Sequence, residues 1–77
     1  MQQNRSKLKR TKLTLSEQLT ALERDWLSGC LVSNVGVRRA IYSDKDPHQL
    51  VVEYDSNLLT GADLLDIFYL WGLWAEL

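Results

Sequence analysis

The most constraining feature of this sequence is a pair of strand-like segments joined by one turn cluster. Residues 37–42 and 50–54 are short and rich in β-branched and aromatic residues, which favour strands. Residues 43–47 between them read Ser-Asp-Lys-Asp-Pro, a turn composition whose proline cannot donate a hydrogen bond to a strand ladder. The two segments are therefore predicted to form a hairpin, with Val37 and Ile41 directed inward.

The segment before the hairpin is predicted to contain a helix. Thr14 and Glu17 have the spacing of a capping box, with Ser16 as an alternative cap. Apolar residues then recur with the period of one buried helical stripe: Leu15, Leu19, Leu22 and Trp26. The helix is predicted either to end at Gly29 or to continue to Val32.

A second helix is predicted after the hairpin, and short strands complete the pattern at both ends. Thr60 and Asp63 form a second capping box ahead of another apolar stripe. Gly72 is placed to end that helix, because glycine accepts the left-handed conformation common after a helix. Residues 7–15 predict a strand with one apolar face, and residues 73–77 predict a short terminal strand.

The resulting order, β-α-β-β-α-β, predicts a single α+β domain over residues 7–77. Each helix alone would expose its apolar stripe, so both are expected to pack on one face of a four-stranded antiparallel sheet. With right-handed crossovers this arrangement is the ferredoxin-like sandwich. The 77 residues suffice for one such domain, and residues 1–6 are predicted to be a disordered tail.

Composition favours a cytoplasmic protein. The single cysteine, Cys30, excludes an internal disulfide and fits a reducing compartment. No apolar run is long enough to span a membrane, and the basic N-terminus lacks the apolar stretch of a signal peptide.

Basic residues are concentrated at the start of the chain. Five of the nine precede Leu13 without an acid among them: Arg5, Lys7, Lys9, Arg10 and Lys12. Such a basic arm could contact nucleic acid or an anionic membrane surface. The alternative is that its lysines protect a solvated edge strand from pairing with other chains.

Short motifs along the chain follow the rhythm of a known family. In order, they are Gly36-Val37, Val-Val-Glu-Tyr-Asp over residues 51–55, Leu64-Leu65 with Ile67, then Gly72 and Ala75. In these positions the chain resembles the heavy-metal-associated domain of copper chaperones and P-type ATPases. The resemblance covers residues 8–77 and implies the same ferredoxin-like fold.

The resemblance does not extend to the metal site. That family binds soft metals through a Cys-x-x-Cys loop after its first strand, whereas residues 13–18 read Leu-Thr-Leu-Ser-Glu-Gln. Leu73 also replaces the aromatic that follows the family's glycine. The resemblance therefore implies a degenerate member to which no metal ligand carries over, and no cofactor is expected.

Cys30 and His48 are the remaining candidates for metal binding. One thiolate is a poor site for zinc or copper, which need further nitrogen or sulfur ligands. The fold would place the two residues at opposite ends of a helix, too far apart to share an ion, although a dimer could join two copies of Cys30. Asp44 and Asp46 beside His48 suggest either a weak hard-cation or acid-base site, or ordinary turn chemistry. The sequence shows no catalytic constellation, so we predict that the chain is not an enzyme.

Aromatic residues near the end of the chain suggest a protein-interaction surface. Trp71 fits the buried stripe with Phe68, whereas the predicted surface consists of Tyr69 and Trp74, rimmed by Arg38 and Arg39. The alternative is that Tyr69 and Trp74 wrap the terminal strand. The second and fourth strands are predicted to be the sheet edges, where a partner strand could add.

Three functional hypotheses follow. The first is a non-catalytic interaction module that binds a protein partner or a second copy of itself. The second is a divergent copper- or zinc-binding or trafficking module, and the third is nucleic-acid binding through the basic arm. The third hypothesis is weakened because the predicted strands lack a row of exposed aromatic residues on which bases could stack. The chain could also be a fragment of a larger transporter.

Overall fold

The computed structural model describes residues 7–77, so the predicted tail over residues 1–6, with Arg5, lies outside the described residues. The strands and helices follow one another along the chain in the predicted order. The elements are β1 (Leu8–Leu15), α1 (Ala21–Val32), β2 (Val37–Tyr42), β3 (Gln49–Asp55), α2 (Gly61–Leu70) and β4 (Ala75–Glu76).

The four strands form one antiparallel sheet in the order β2-β3-β1-β4. β1 pairs with β3 along most of its length, from Leu8 opposite Asp55 to Thr14 opposite Gln49. It pairs with β4 only through Thr14 and Leu15. The prediction of an α+β domain with two helices and a four-stranded antiparallel sheet is confirmed, and β2 and β4 are the edge strands.

The hydrophobic core lies between one face of the sheet and the helices. Leu13 of β1 pairs with Leu50 of β3, and both side chains are fully buried. The helices contribute four buried side chains to the same cluster: Leu27, Leu31, Leu64 and Phe68. Each buried side chain of this size contributes about 1.5–3 kcal/mol relative to an exposed one. Within residues 7–77 no helix covers the other face of the sheet, which we call the open face.

Thr20, rather than Thr14, caps α1. Its hydroxyl oxygen accepts a hydrogen bond from the Glu23 N–H at 3.2 Å, and the Glu23 carboxylate accepts one from the Thr20 N–H at 2.8 Å. The Thr20 N–H, and to a smaller extent the Thr20 side chain, hold the pKa of Glu23 below its ordinary value, because they stabilise the charged carboxylate. The predicted box of Thr14 and Glu17 is wrong, because β1 extends through Thr14, which pairs with Gln49.

The predicted buried stripe of α1 is also wrong. Leu22 is 80 % exposed and Trp26 is exposed, whereas Leu27 and Leu31 are fully buried. The predicted stripe began with residues that lie in β1 and the following loop, so its phase does not apply to the helix. α1 ends at Val32, the later of the two predicted ends.

A β-bulge in β2 changes the face of the sheet on which the later side chains of this strand lie. Val37 is buried as predicted, but Ile41 is 43 % exposed. Val37 and Arg39 pair with consecutive residues of β3, so Arg38 is an extra residue in the strand. The extra residue reverses the alternation of side chains, which places Ile41 on the open face.

The second capping box is confirmed. The Thr60 hydroxyl oxygen accepts from the Asp63 N–H at 3.2 Å, and the Asp63 carboxylate accepts from the Thr60 N–H at 2.8 Å. Gly72 follows α2 with φ +77°, the left-handed conformation that its position predicts. The terminal strand is shorter than predicted, because the Leu73 N–H still bonds the Phe68 carbonyl at 2.9 Å.

Candidate interaction surfaces

Tyr69 and Trp74 lie against each other on the protein surface. Their ring centroids are 5.3 Å apart, with 39° between the ring planes. Tyr69 is in the last turn of α2, and Trp74 immediately precedes the edge strand β4. The side chains are 43 % and 58 % exposed respectively, so the two rings present an apolar surface to solvent. We call them the aromatic pair.

The terminal strand is tied to the sheet by the backbone around Trp74. The Trp74 carbonyl accepts a hydrogen bond from the Ser16 N–H at 3.0 Å, and Ala75 pairs with Leu15. The ring of Trp74 is mostly exposed, so it covers the strand only in part. The alternative, that the aromatic pair serves only to wrap β4, therefore does not explain why most of the Trp74 ring is exposed.

Arg38 and Arg39 do not adjoin the aromatic pair. Both are exposed on β2, which is the sheet edge opposite β4, with β3 and β1 between them. Three strand spacings of about 4.8 Å separate the two edges. The four residues that the sequence suggested as one surface therefore lie at two separate places on the molecule.

A second aromatic contact joins the two helices. Trp26 of α1 and Trp71 at the end of α2 have ring centroids 5.7 Å apart, and Trp71 also meets Phe68 edge-on at 6.2 Å. Leu22 lies one turn before Trp26 on the same side of α1. Sequence reasoning treated Leu22 and Trp26 as buried, so it missed this exposed apolar strip.

The open face of the sheet carries two rows of paired residues across three strands. One row is Arg10, Glu53 and Arg39, and the other is Lys12, Val51 and Ile41. Residues directly opposite each other on neighbouring strands have Cβ atoms about 5 Å apart and share a face. Basic residues from two distant segments of the chain therefore meet on this face.

Glu53 is buried on the open face although no helix covers it. Its side chain lies between those of its two neighbours, Arg10 and Arg39, and Glu53 is 7 % exposed. The Arg10 Nε donates to a carboxylate oxygen of Glu53 at 2.7 Å, a short charge-assisted bond. The Arg10 side chain itself is mostly exposed, so this ion pair contributes at most about 1 kcal/mol.

The lysines of the basic arm lie along a stretch of β1 that has a neighbouring strand on one side only. In the strand order β1 is an inner strand, but β4 pairs with it only at Thr14 and Leu15. The prediction that these lysines lie along a strand edge therefore agrees with the register, and contact with nucleic acid or a membrane stays a prediction. Lys9, Arg10 and Lys12 are exposed along β1, and Lys7 precedes it. Arg10 and Lys12 project from the open face, where they add positive charge.

Tyr42 closes the core at the end of β2. Burial raises the pKa of Tyr42 above its ordinary value, and the Ser28 hydroxyl and the Arg24 guanidinium offset part of this effect. Ser28 is near the Tyr42 hydroxyl without reaching hydrogen-bond geometry, so that buried hydroxyl has no partner among residues 7–77. The Arg24 guanidinium carbon lies 5.8 Å from the centre of the Tyr42 ring, within the range of a cation–π contact.

His48 connects the hairpin to the end of β1. Its Nδ1 lies 2.9 Å from the Leu15 carbonyl oxygen, and its own carbonyl accepts from the Leu15 N–H at 2.7 Å. A carbonyl oxygen only accepts hydrogen bonds, so Nδ1 carries the proton. This bridge gives His48 a structural role that the sequence did not reveal, because its partner is distant along the chain.

Replacing His48 with alanine should lower the free energy of unfolding by about 1 kcal/mol, because the Leu15 carbonyl loses its side-chain donor. His48→Asn is the matched control, since the asparagine amide places a donor at the same branch point as Nδ1. It should lose less than half as much in urea unfolding followed by circular dichroism. Equal losses for the two variants would contradict a role for the donor.

Cys30 is a free, partly buried cysteine near the end of α1. Its carbonyl accepts from the Ser33 hydroxyl at 2.6 Å and from the Asn34 amide at 2.9 Å, so its backbone helps to end the helix. His48 lies beside the end of β1, before the loop that leads into α1, whereas Cys30 is in the last turn of that helix. Within residues 7–77 no group of three His, Cys, Asp or Glu side chains is placed to hold a metal ion.

The hairpin turn is organised by its own side chains. Asp46 Oδ1 accepts from the His48 N–H at 2.9 Å, and the Ser43 hydroxyl oxygen accepts from the N–H groups of Lys45 and Asp46. These short-range bonds are typical of turns that contain aspartate and serine. Asp44 is exposed and completes the turn sequence.

None of the helices within residues 7–77 has the length and apolar character needed to cross a membrane. No protein-family model, curated protein or solved structure matches this chain.

Proposed function

We propose that this chain is a non-catalytic interaction module, which binds a protein partner or a second copy of itself through the aromatic pair. We also propose that its fold is ferredoxin-like and related to the heavy-metal-associated domain without that family's metal site. The strand order supports the fold, because β3 lies between β1 and β2, and β1 lies between β3 and β4. Two interleaved βαβ units of this kind are the split arrangement of ferredoxin-like domains.

The observation that carries the functional proposal is the exposure of the aromatic pair. Tyr69 and Trp74 are large, rigid side chains, and their rings contact each other at a tilt on the surface. Exposed aromatics of this kind are enriched in the centres of protein interfaces, where few residues supply most of the binding energy. Burying the two rings would remove apolar area from water at little cost in side-chain freedom.

Sedimentation equilibrium of the full chain tests the homotypic form of this proposal. We expect reversible self-association between about 5 and 500 µM, the range in which a small apolar interface becomes visible. Trp74→Ser should raise the dissociation constant about tenfold, because it removes the more exposed ring.

Leu22→Ser is the matched control, since it removes an exposed apolar side chain from a different surface. It should change the dissociation constant less than twofold. A chain that stays monomeric across the whole range would contradict the homotypic form. Equal weakening by both variants would contradict the assignment of the interface to the aromatic pair.

A further inference from the structure

The outer edge of β2 is available for hydrogen bonding. About half of the backbone N–H and C=O groups of an edge strand point away from its neighbour. Between Arg38 and Tyr42, no group of residues 7–77 outside the sheet bonds to the backbone of β2. An extended segment could therefore add to the sheet beside β2.

The surface next to this edge is positively charged. The Glu53 carboxylate is engaged by Arg10, which is the one ion pair within residues 7–77. Arg38, Arg39 and Lys12 therefore keep unpaired charges within the described part of the chain. Arg39 and Lys12 belong to the two neighbouring rows of the open face. Anionic groups on an added strand would lie beside the two arginines of β2.

An apolar cleft adjoins the charged residues. It has a volume of about 270 Å³, and its lining includes Lys12, Ile41 and Val51, one complete row of the open face. Ile41 is exposed here because of the bulge at Arg38. The cleft is large enough for an aliphatic side chain, and Arg39 lies one position along the same face of β2 to contact an anionic neighbour of that side chain.

Charge distinguishes between the candidate occupants of this edge. Pairing of β2 with β2 of a second copy would bring two arginines from each copy into one short seam, which is unfavourable. Single-stranded nucleic acid would match the charge, but the open faces of β1, β2 and β3 carry no aromatic side chain for base stacking. An acidic polypeptide matches both the charge and the free backbone.

From these observations we infer that an acidic polypeptide segment adds to the sheet as a new strand beside β2. Its carboxylates contact Arg38 and Arg39, and an aliphatic side chain enters the cleft beside Ile41. Main-chain hydrogen bonds supply affinity in this mode of recognition, and side-chain contacts supply specificity. The site lies on the opposite sheet edge from the aromatic pair and does not depend on it.

Fluorescence anisotropy with a labelled peptide of about eight residues tests the inference, since strands of this length are typical. Glutamate and valine alternate along one face of this peptide and threonine occupies the other, so that one face can offer both a carboxylate and an aliphatic side chain. We expect saturable binding that weakens as salt rises from about 0.05 to 0.5 M. Arg39→Glu should weaken binding about tenfold, and Arg38→Glu should weaken it in the same direction. Amide exchange at β2 should slow on binding, because the added strand protects the edge.

Lys45→Glu is the matched control, because it makes the same charge change at an exposed position of the hairpin turn. It should alter peptide affinity less than twofold, as should Trp74→Ser, which separates this site from the aromatic pair. Circular dichroism checks that Arg39→Glu stays folded. The inference would be overturned if the peptide did not bind, or if Arg39→Glu and Lys45→Glu had equal effects. It would also be overturned if oligothymidylate bound more tightly than the peptide.

Discussion

Replacing Phe68 with alanine is expected to lower the free energy of unfolding by about 3–5 kcal/mol. Phe68 is fully buried and belongs to the core cluster beneath α2. Its ring also meets Trp71 edge-on, so the truncation removes support from a second aromatic side chain. Domains of this size are stable by only about 5–15 kcal/mol, so the variant should keep a much smaller free energy of unfolding and unfold at a much lower urea concentration.

Leu70→Ala is the matched control for Phe68→Ala. Leu70 lies in the same helix but is 84 % exposed, so its truncation should change stability by no more than about 0.5 kcal/mol. Urea unfolding followed by circular dichroism measures both variants. If Phe68→Ala cost no more than Leu70→Ala, the described packing of α2 against the sheet would be incorrect.

Replacing Gly36 with alanine should cost about 2 kcal/mol or more, because two unfavourable effects combine at this residue. Gly36 has φ +100°, a conformation that side chains with a Cβ rarely adopt. An added Cβ would lie 3.1 Å from atoms of both Leu58 and Leu59. The Gly36 carbonyl also accepts from the Asp55 N–H at 2.8 Å, which fixes the backbone and limits relaxation.

Gly29→Ala should have the opposite effect. Gly29 lies inside α1, where glycine is less favourable than alanine, and an added Cβ would meet nothing within 4 Å. We therefore expect a gain of about 0.5–1 kcal/mol. Thermal unfolding of the two glycine variants gives shifts of opposite sign. Stabilisation by both would show that the conformation described at Gly36 is wrong, and destabilisation by both would contradict the open space described at Gly29.

The hairpin and the second helix could be predicted from the sequence because their signals are local. The turn over residues 43–47 is composed of residues that organise their own backbone. Thr60 and Asp63 form the one capping-box spacing directly ahead of the second apolar stripe. In these segments, short-range preferences and the final structure agree, so no distant contact was needed to choose between alternatives.

The start of α1 could not be chosen locally, since the sequence has the same Thr-x-x-Glu spacing at Thr14 and at Thr20. The choice depends on how far β1 extends, which is decided by pairing with β3 and β4. The wrong start of the helix also led to the wrong prediction that Leu22 and Trp26 are buried. The buried Leu27 and Leu31 also have helical spacing, but this signal competes with the longer run of apolar residues before it.

The open face was not foreseen because it depends on a bulge and on strand register. Strict alternation would place Val37, Arg39 and Ile41 on one face, and therefore an arginine in the core. An arginine at a predicted core position was the signal in the sequence that β2 does not alternate regularly. The meeting of Arg39 with Arg10 additionally requires β3 to lie between the two strands, and no local pattern encodes that order.

The inner position of β1 has a consequence for the order in which the chain assembles. β1 is synthesised before every element that pairs with it, and its contact between Arg10 and Glu53 closes a loop of 43 residues. The hairpin of β2 and β3 closes a much shorter loop and can form first at lower entropic cost. β1 must then pair with β3 before β4, whose strand partner is β1, can join the sheet, so this long-range pairing is expected to limit the folding rate.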